Sequence, residues 1–160
     1  MFSNIFKKRG LEVLAPVNGE IISLEDVPDP VFSQKMMGEG VAIIPSNGRI
    51  YAPVDGEIVL ISDSKHAIGI RSSDGSEILI HIGLETVALQ GKGFTVLVEQ
   101  GSTVSAGQAL IEVDWEYIKA NAKSTVTPIV ITNGADKKVQ CHYTKDGIQN
   151  KTVLMTISAK

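Results

Sequence analysis

A single cysteine, Cys141, leaves this 160-residue chain without a partner for an intramolecular disulfide. Its stability must come from packing and hydrogen bonds, and secretion gains no support. The thiol itself reads as a small buried hydrophobe. No apolar run approaches the roughly 18 residues that a membrane-spanning helix needs. Positive charge is not in excess either. The net charge of -3 argues against nucleic acid as the partner, because phosphate binding wants a basic face. Residues 1–10 are too short for a signal peptide with its apolar core and cleavage site. What is present is 43% hydrophobic and 21% charged, the composition of a soluble globular protein. The length suits one domain, able to bury roughly 70% of its extended-chain surface.

The chain divides into a leader, residues 1–10, and a domain, residues 11–160. In the leader, Phe2, Ile5 and Phe6 can share a helical face ahead of Lys7, Lys8 and Arg9. Two readings stay open, an amphipathic basic segment that touches anionic lipid and a frayed terminus. The domain opens with an internal repeat: Ala15-Pro-Val-Asn-Gly-Glu-Ile21 recurs as Ala52-Pro-Val-Asp-Gly-Glu-Ile58. Each copy leads into an apolar strand and then a Ser-Asn-Gly or Ser-Asp-Gly turn. The first copy carries an insertion with Pro28 and Pro30, where Asp29 is placed to cap a short helix that ends at Gly38. A second helix is expected from Asp114 through Trp115, Tyr117 and Ile118 toward Ala122. Elsewhere glycine punctuates short β-rich runs roughly every eight to twelve residues, the pattern of a sandwich or barrel. The expected fold is all-β and antiparallel, duplicated, with one or two short helices.

The chemistry concentrates in Glu77-Ile-Leu-Ile-His-Ile-Gly-Leu-Glu-Thr86. A β-branched run closed by glycine reads as a buried strand. Alternation puts Ile78, Ile80 and Ile82 on one face and Leu79, His81 and Gly83 on the other. Gly83 has no side chain, which leaves room for an approach to the His81 imidazole. A second histidine, His66, enters the apolar strand Ala67-Ile-Gly-Ile70, and Asp74-Gly75 between the two runs is a hairpin signal. Pairing about that turn brings His66 and His81 to one end of the ladder. A two-imidazole site and a pair of structural histidines are both compatible with this spacing.

Taken together, Ala15 to Ile21, Val27-Pro-Asp-Pro-Val-Phe-Ser33, Met37-Gly-Glu-Gly40, Ala52 to Gly56, Lys65-His-Ala67, His81 to Phe94 and Lys123-Ser-Thr-Val-Thr-Pro-Ile-Val130 resemble the glucose-type enzyme IIA domain of the bacterial sugar phosphotransferase system. The resemblance covers most of the chain and thins toward the C-terminus. It implies a duplicated hybrid of barrel and sandwich. It also implies a cytoplasmic monomer, peripheral at the membrane through a permease, that takes a phosphoryl group from the phosphocarrier HPr and gives it to the cysteine of a sugar-specific IIB domain. By this resemblance His81 is the phosphorylated nucleophile and His66 the partner that steadies the group. Ser64, where the family has threonine, supplies a hydroxyl, and the Gly83 carbonyl orients His81. Partner contact is expected from Val31, Phe32, Met37, Ile68, Leu79, Ile82 and Glu85, with aliphatic groups where the family is often aromatic. No cofactor is required, though zinc bound incidentally by His66 and His81 is compatible with two imidazoles.

A regulatory binding module, whose phosphorylation state controls permeases, kinases or regulators, is the alternative of another class. Ala52 to Gly56 and Gly101 to Leu110 also resemble biotinyl and lipoyl carrier domains. Those need a lysine in a context such as Met-Lys-Met, which this chain lacks. A hydrolytic zinc site lacks a clear third ligand at suitable spacing.

Overall fold

The computed structural model describes residues 10–160. The leader reading therefore lies, apart from Gly10, outside the described residues. Fourteen strands run in order: β1 (Leu11–Leu14), β2 (Asn18–Ser23), β3 (Glu39–Asn47), β4 (Ile50–Tyr51), β5 (Gly56–Ile61), β6 (Ala67–Arg71), β7 (Glu77–His81), β8 (Phe94–Val96), β9 (Thr103–Val104), β10 (Ala109–Val113), β11 (Thr127–Ile131), β12 (Lys137–Cys141), β13 (Asp146–Gly147) and β14 (Val153–Ala159). They form an eight-stranded sheet, β13-β2-β3-β11-β7-β6-β5-β9, and two three-stranded sheets, β1-β14-β12 and β4-β10-β8. Every pairing is antiparallel. The expected all-β architecture is the one observed.

The eight-stranded sheet is pseudo-symmetric about its central β11–β7 pair, because β2 and β3 on one side answer β5 and β6 on the other. The repeat read in the sequence is visible in the backbone. The amide of Leu14 donates to the Pro53 carbonyl at 2.9 Å, and that of Tyr51 donates to the Pro16 carbonyl at 2.8 Å. A second pair of matched segments, near residues 101–110 and 144–154, was not read in the sequence. Ile58 donates to the Ser102 carbonyl at 2.8 Å as Ile21 does to Lys145 at 3.1 Å, and the Ala52 carbonyl accepts from Gly107 at 2.8 Å as the Ala15 carbonyl does from Asn150 at 3.0 Å.

Strand alternation divides the apolar side chains between two clusters. Ile43, Ile58, Ile68, Ile70, Ile78, Ile80, Ile82 and Ile129 enter the larger core, while Ala42, Ala67, Leu79 and Val130 pack with Leu24, Val27 and Phe32 in a smaller one. Each fully buried isoleucine contributes about 2 kcal/mol of transfer free energy. The insertion of the first repeat thus covers the sheet face on which Leu79 and His81 lie.

Among the described residues there are also two short α-helices and two 3-10 turns, Leu24–Asp26 and Thr86–Leu89. Residues Pro30–Ser33 make one turn, with Asp29 accepting from the Val31 amide at 3.0 Å and proline at the first position. That helix is shorter than expected. It stops well before Gly38, because Lys35 takes a left-handed conformation (φ 56°) and its ammonium pairs with Glu39 at 3.1 Å and Glu25 at 3.7 Å. The second, Trp115–Asn121, is capped by Asp114, which accepts from Tyr117 at 3.1 Å.

Candidate functional site

The β6–β7 hairpin builds the site. The turn at residues 72–76 is closed by Ser72 donating to the Ser76 carbonyl at 2.9 Å, with Gly75 at φ 88°. Register then sets Ala67 opposite His81 at the far end of the ladder. His66 lies one residue outside β6, where its carbonyl accepts from the Ile82 amide at 2.7 Å. Strand alternation no longer governs it there, since the preceding Lys65 is left-handed (φ 60°). Its ring turns toward the other histidine: the two imidazole centroids are 4.9 Å apart at an interplanar angle of 80°.

His81 donates from Nδ1 to the Gly83 carbonyl at 2.8 Å, which leaves Nε2 with its lone pair. Gly83 can place that carbonyl because it holds φ 74°, a conformation a side chain resists. On the other side, Phe32 packs its ring against His81 with centroids 5.0 Å apart. His81 is half-buried and opens on a shallow hollow of about 240 Å³, lined also by Asp29, Val31, Met37, Glu85 and Val87.

Burial lowers the proton affinity of both rings. For His66 the nearby charge of His81 lowers it further, and the Ser64 backbone works in the opposite sense. For His81 burial again dominates, opposed by the Gly83 carbonyl and the Asp29 carboxylate. Both imidazoles are therefore held toward the neutral form, which for His81 is the nucleophilic one.

A family model described as the phosphoenolpyruvate-dependent sugar phosphotransferase system, EIIA 1, matches residues 11–137. The chain belongs to this EIIA family. The glucose-specific EIIA component of the phosphotransferase system of Bacillus anthracis is 46% identical over 165 residues, covering 100% of both chains. The glucoside-specific EIICBA component of Staphylococcus carnosus is 45% identical over 153 residues, 96% of this chain and 22% of that longer one. Among solved structures, glucose permease IIA from Mycoplasma capricolum superposes with a TM-score of 0.85 at 40% identity, covering 91% of this chain and 94% of that one. This EIIA chain is accordingly a phosphotransferase with the β-sandwich fold of its relatives.

Not every expected site residue of the EIIA chain lies where the sequence suggested. Ile68 and Ile82 are fully buried and Leu79 is 5% exposed, so none of them offers surface to a partner. Ile68 and Ile82 point into the larger core, away from His81, and Leu79 is covered by the 24–33 insertion. Phe32, 3% exposed, supports the His81 ring rather than presenting itself. Val31, Met37 and Glu85 do reach solvent around the hollow. Val87, 57% exposed, also lines the hollow and was missed, and Met36, next to Met37 in the chain, is 69% exposed; nothing in residue type alone separates them from core side chains. Asp29, read only as a helix cap, also faces His81 electrostatically. The hydroxyl that reaches His66 comes from Ser62, at 3.3 Å from Nδ1, and what Ser64 offers that ring is its backbone. The third histidine, His142, stands apart, its Nε2 3.0 Å from the Thr156 hydroxyl. Among the described residues no group of three or more histidines, cysteines and carboxylates is arranged to hold a metal ion, and no helix is long and apolar enough to cross a membrane.

Proposed function

We propose that this chain relays a phosphoryl group through His81 Nε2, from the phosphohistidine of HPr to the cysteine of a sugar-specific IIB domain. The observation that carries the reading is the hydrogen bond from His81 Nδ1 to the Gly83 carbonyl, made beside a second imidazole and at the floor of an open hollow. In the first step the Nε2 lone pair attacks phosphorus, and the P–N bond to the donor imidazole breaks with its electrons returning to that nitrogen. In the second, the IIB thiolate attacks phosphorus and the His81 P–N bond breaks in turn. Such a transfer asks for in-line positioning and for donors to the equatorial oxygens, and a neighbouring imidazole N–H is such a donor. Asp29 and Glu85 beside the apolar Val31, Met37 and Val87 suit a basic, partly apolar partner face. The fused Staphylococcus carnosus relative, named as an EIICBA component, supports a place of action beside a permease.

Incubation with phosphorylated HPr should give an acid-labile, base-stable adduct that His81→Ala abolishes. His66→Gln should accept phosphate and deliver it poorly to IIB. An adduct unaffected by His81→Ala rejects the reading. Transfer to a panel of IIB domains then identifies the permease served.

A further inference from the structure

The loop between β5 and β6 places a hydroxyl at the site that the relay, as described, does not use. Ser62 closes this loop with its backbone: its amide donates to the Ala67 carbonyl at 3.0 Å, and its carbonyl accepts from the Lys65 amide at 2.9 Å. Its Oγ accepts from the Ala67 amide at 3.1 Å, which fixes the side chain as well. The same oxygen lies 3.3 Å from His66 Nδ1. A hydroxyl has one proton to give, and among the described residues Nδ1 is the acceptor in reach of it. If Nδ1 instead carried a proton, the Ser62 hydrogen would be left without an acceptor in a partly buried place, which is costly.

We infer that Ser62 is a positioning residue that donates to Nδ1 of His66 and so holds that ring in its Nε2–H tautomer. His81 is held in the opposite one, because its Nδ1–H is engaged by the Gly83 carbonyl. The two rings then divide the work. One offers a bare Nε2 that can carry the group, and the other offers an N–H that can reach a phosphoryl oxygen. Two neutral rings of the same tautomer would present either two lone pairs or two hydrogens to the transfer path. The Ser64 backbone also bears on the His66 ring and favours a proton there, so it is the group toward which a ring released from Ser62 would turn its N–H. The use made of the tautomer rests on the proposed relay; the tautomer itself does not.

Long-range proton–nitrogen NMR of the uniformly 15N-labelled, unphosphorylated full chain, at a pH well above the imidazole range, reads both tautomers directly. The expected spectrum shows His66 as Nε2–H and His81 as Nδ1–H. Ser62→Ala should shift His66 toward Nδ1–H while His81 stays unchanged, and Ser62→Thr, which keeps the hydroxyl, should restore the wild-type pattern. Delivery to IIB should slow up to roughly tenfold in Ser62→Ala, the scale of one hydrogen bond, and recover in Ser62→Thr. A wild-type His66 found as Nδ1–H overturns the inference even if no variant folds. So does a Ser62→Ala spectrum in which His66 does not change. Failure of phosphate transfer with the tautomers as stated would remove the relay and leave the role of Ser62 standing.

Discussion

At the scale of single residues, the proposed relay depends on holding two imidazoles toward the neutral form and on pointing one of them. Burial penalises the imidazolium in both rings, so each should titrate below the ordinary value of 6.5 in an NMR pH series. The sign for stability follows. The unfolded chain takes up protons first as pH falls, so the fold loses stability from the ordinary imidazole range downward and is unaffected above it. A titration midpoint above 6.5 for either ring would contradict this. Gly83 is the second residue-scale test. A Cβ there would come within 2.7 Å of Thr86 Cγ2 and 2.9 Å of the Ser124 carbonyl. Thr86 itself is tied to the Ile82 carbonyl at 2.7 Å. Gly83→Ala should therefore cost about 1–3 kcal/mol in thermal or denaturant unfolding and misalign the carbonyl that holds Nδ1 of His81. The two histidines were legible in the sequence because an imidazole inside a β-branched run stands out against its neighbours. Ser62 was not, because a serine entering a loop carries no spacing rule, and its value depends on where the loop folds back.

At the scale of elements, the β6–β7 hairpin was readable from the Asp-Gly turn and the alternation of Ile78, Leu79 and Ile80, and the structure keeps that register. The docking surface was read less well. Ile68, Leu79 and Ile82 look alike in sequence to surface residues of a half-exposed strand, but this sheet is covered on both faces around them. The one-turn helix after Asp29 shows one residue serving two elements. Its carboxylate caps the helix and favours a charged His81. Asp29→Asn keeps a good cap and removes the charge, so the His81 titration midpoint should fall with little change in melting temperature. Asp29→Ala should lower both, with the cap worth about 1 kcal/mol. Equal His81 midpoints in wild type and Asp29→Asn would dismiss the electrostatic part.

At the scale of the whole molecule, the duplicated chain supplies a stiff sheet whose centre carries the hairpin and whose first repeat alone bears the insertion that walls the hollow. The repeat at residues 15–21 and 52–58 survives as similar sequence and could be seen. The matched segments near 101–110 and 144–154 survive mainly as backbone hydrogen bonds, with Gly107 against Asn150, and could not. This division of labour predicts that surface and core substitutions separate cleanly. Met36→Ser with Val87→Ser should weaken acceptance from HPr through KM while leaving unfolding within about 0.5 kcal/mol. Ile80→Ala should cost about 2–5 kcal/mol in the same unfolding assay. Unaltered KM in the surface double variant would exclude those side chains from the docking face.

The most direct measurement is nitrogen and phosphorus NMR of the chain after reaction with phosphorylated HPr, followed by addition of IIB. The account predicts a single phosphoramidate on Nε2 of His81 that disappears as IIB becomes phosphorylated. A phosphoryl group on His66 or on Nδ1 of His81, or one that IIB cannot remove, would contradict it.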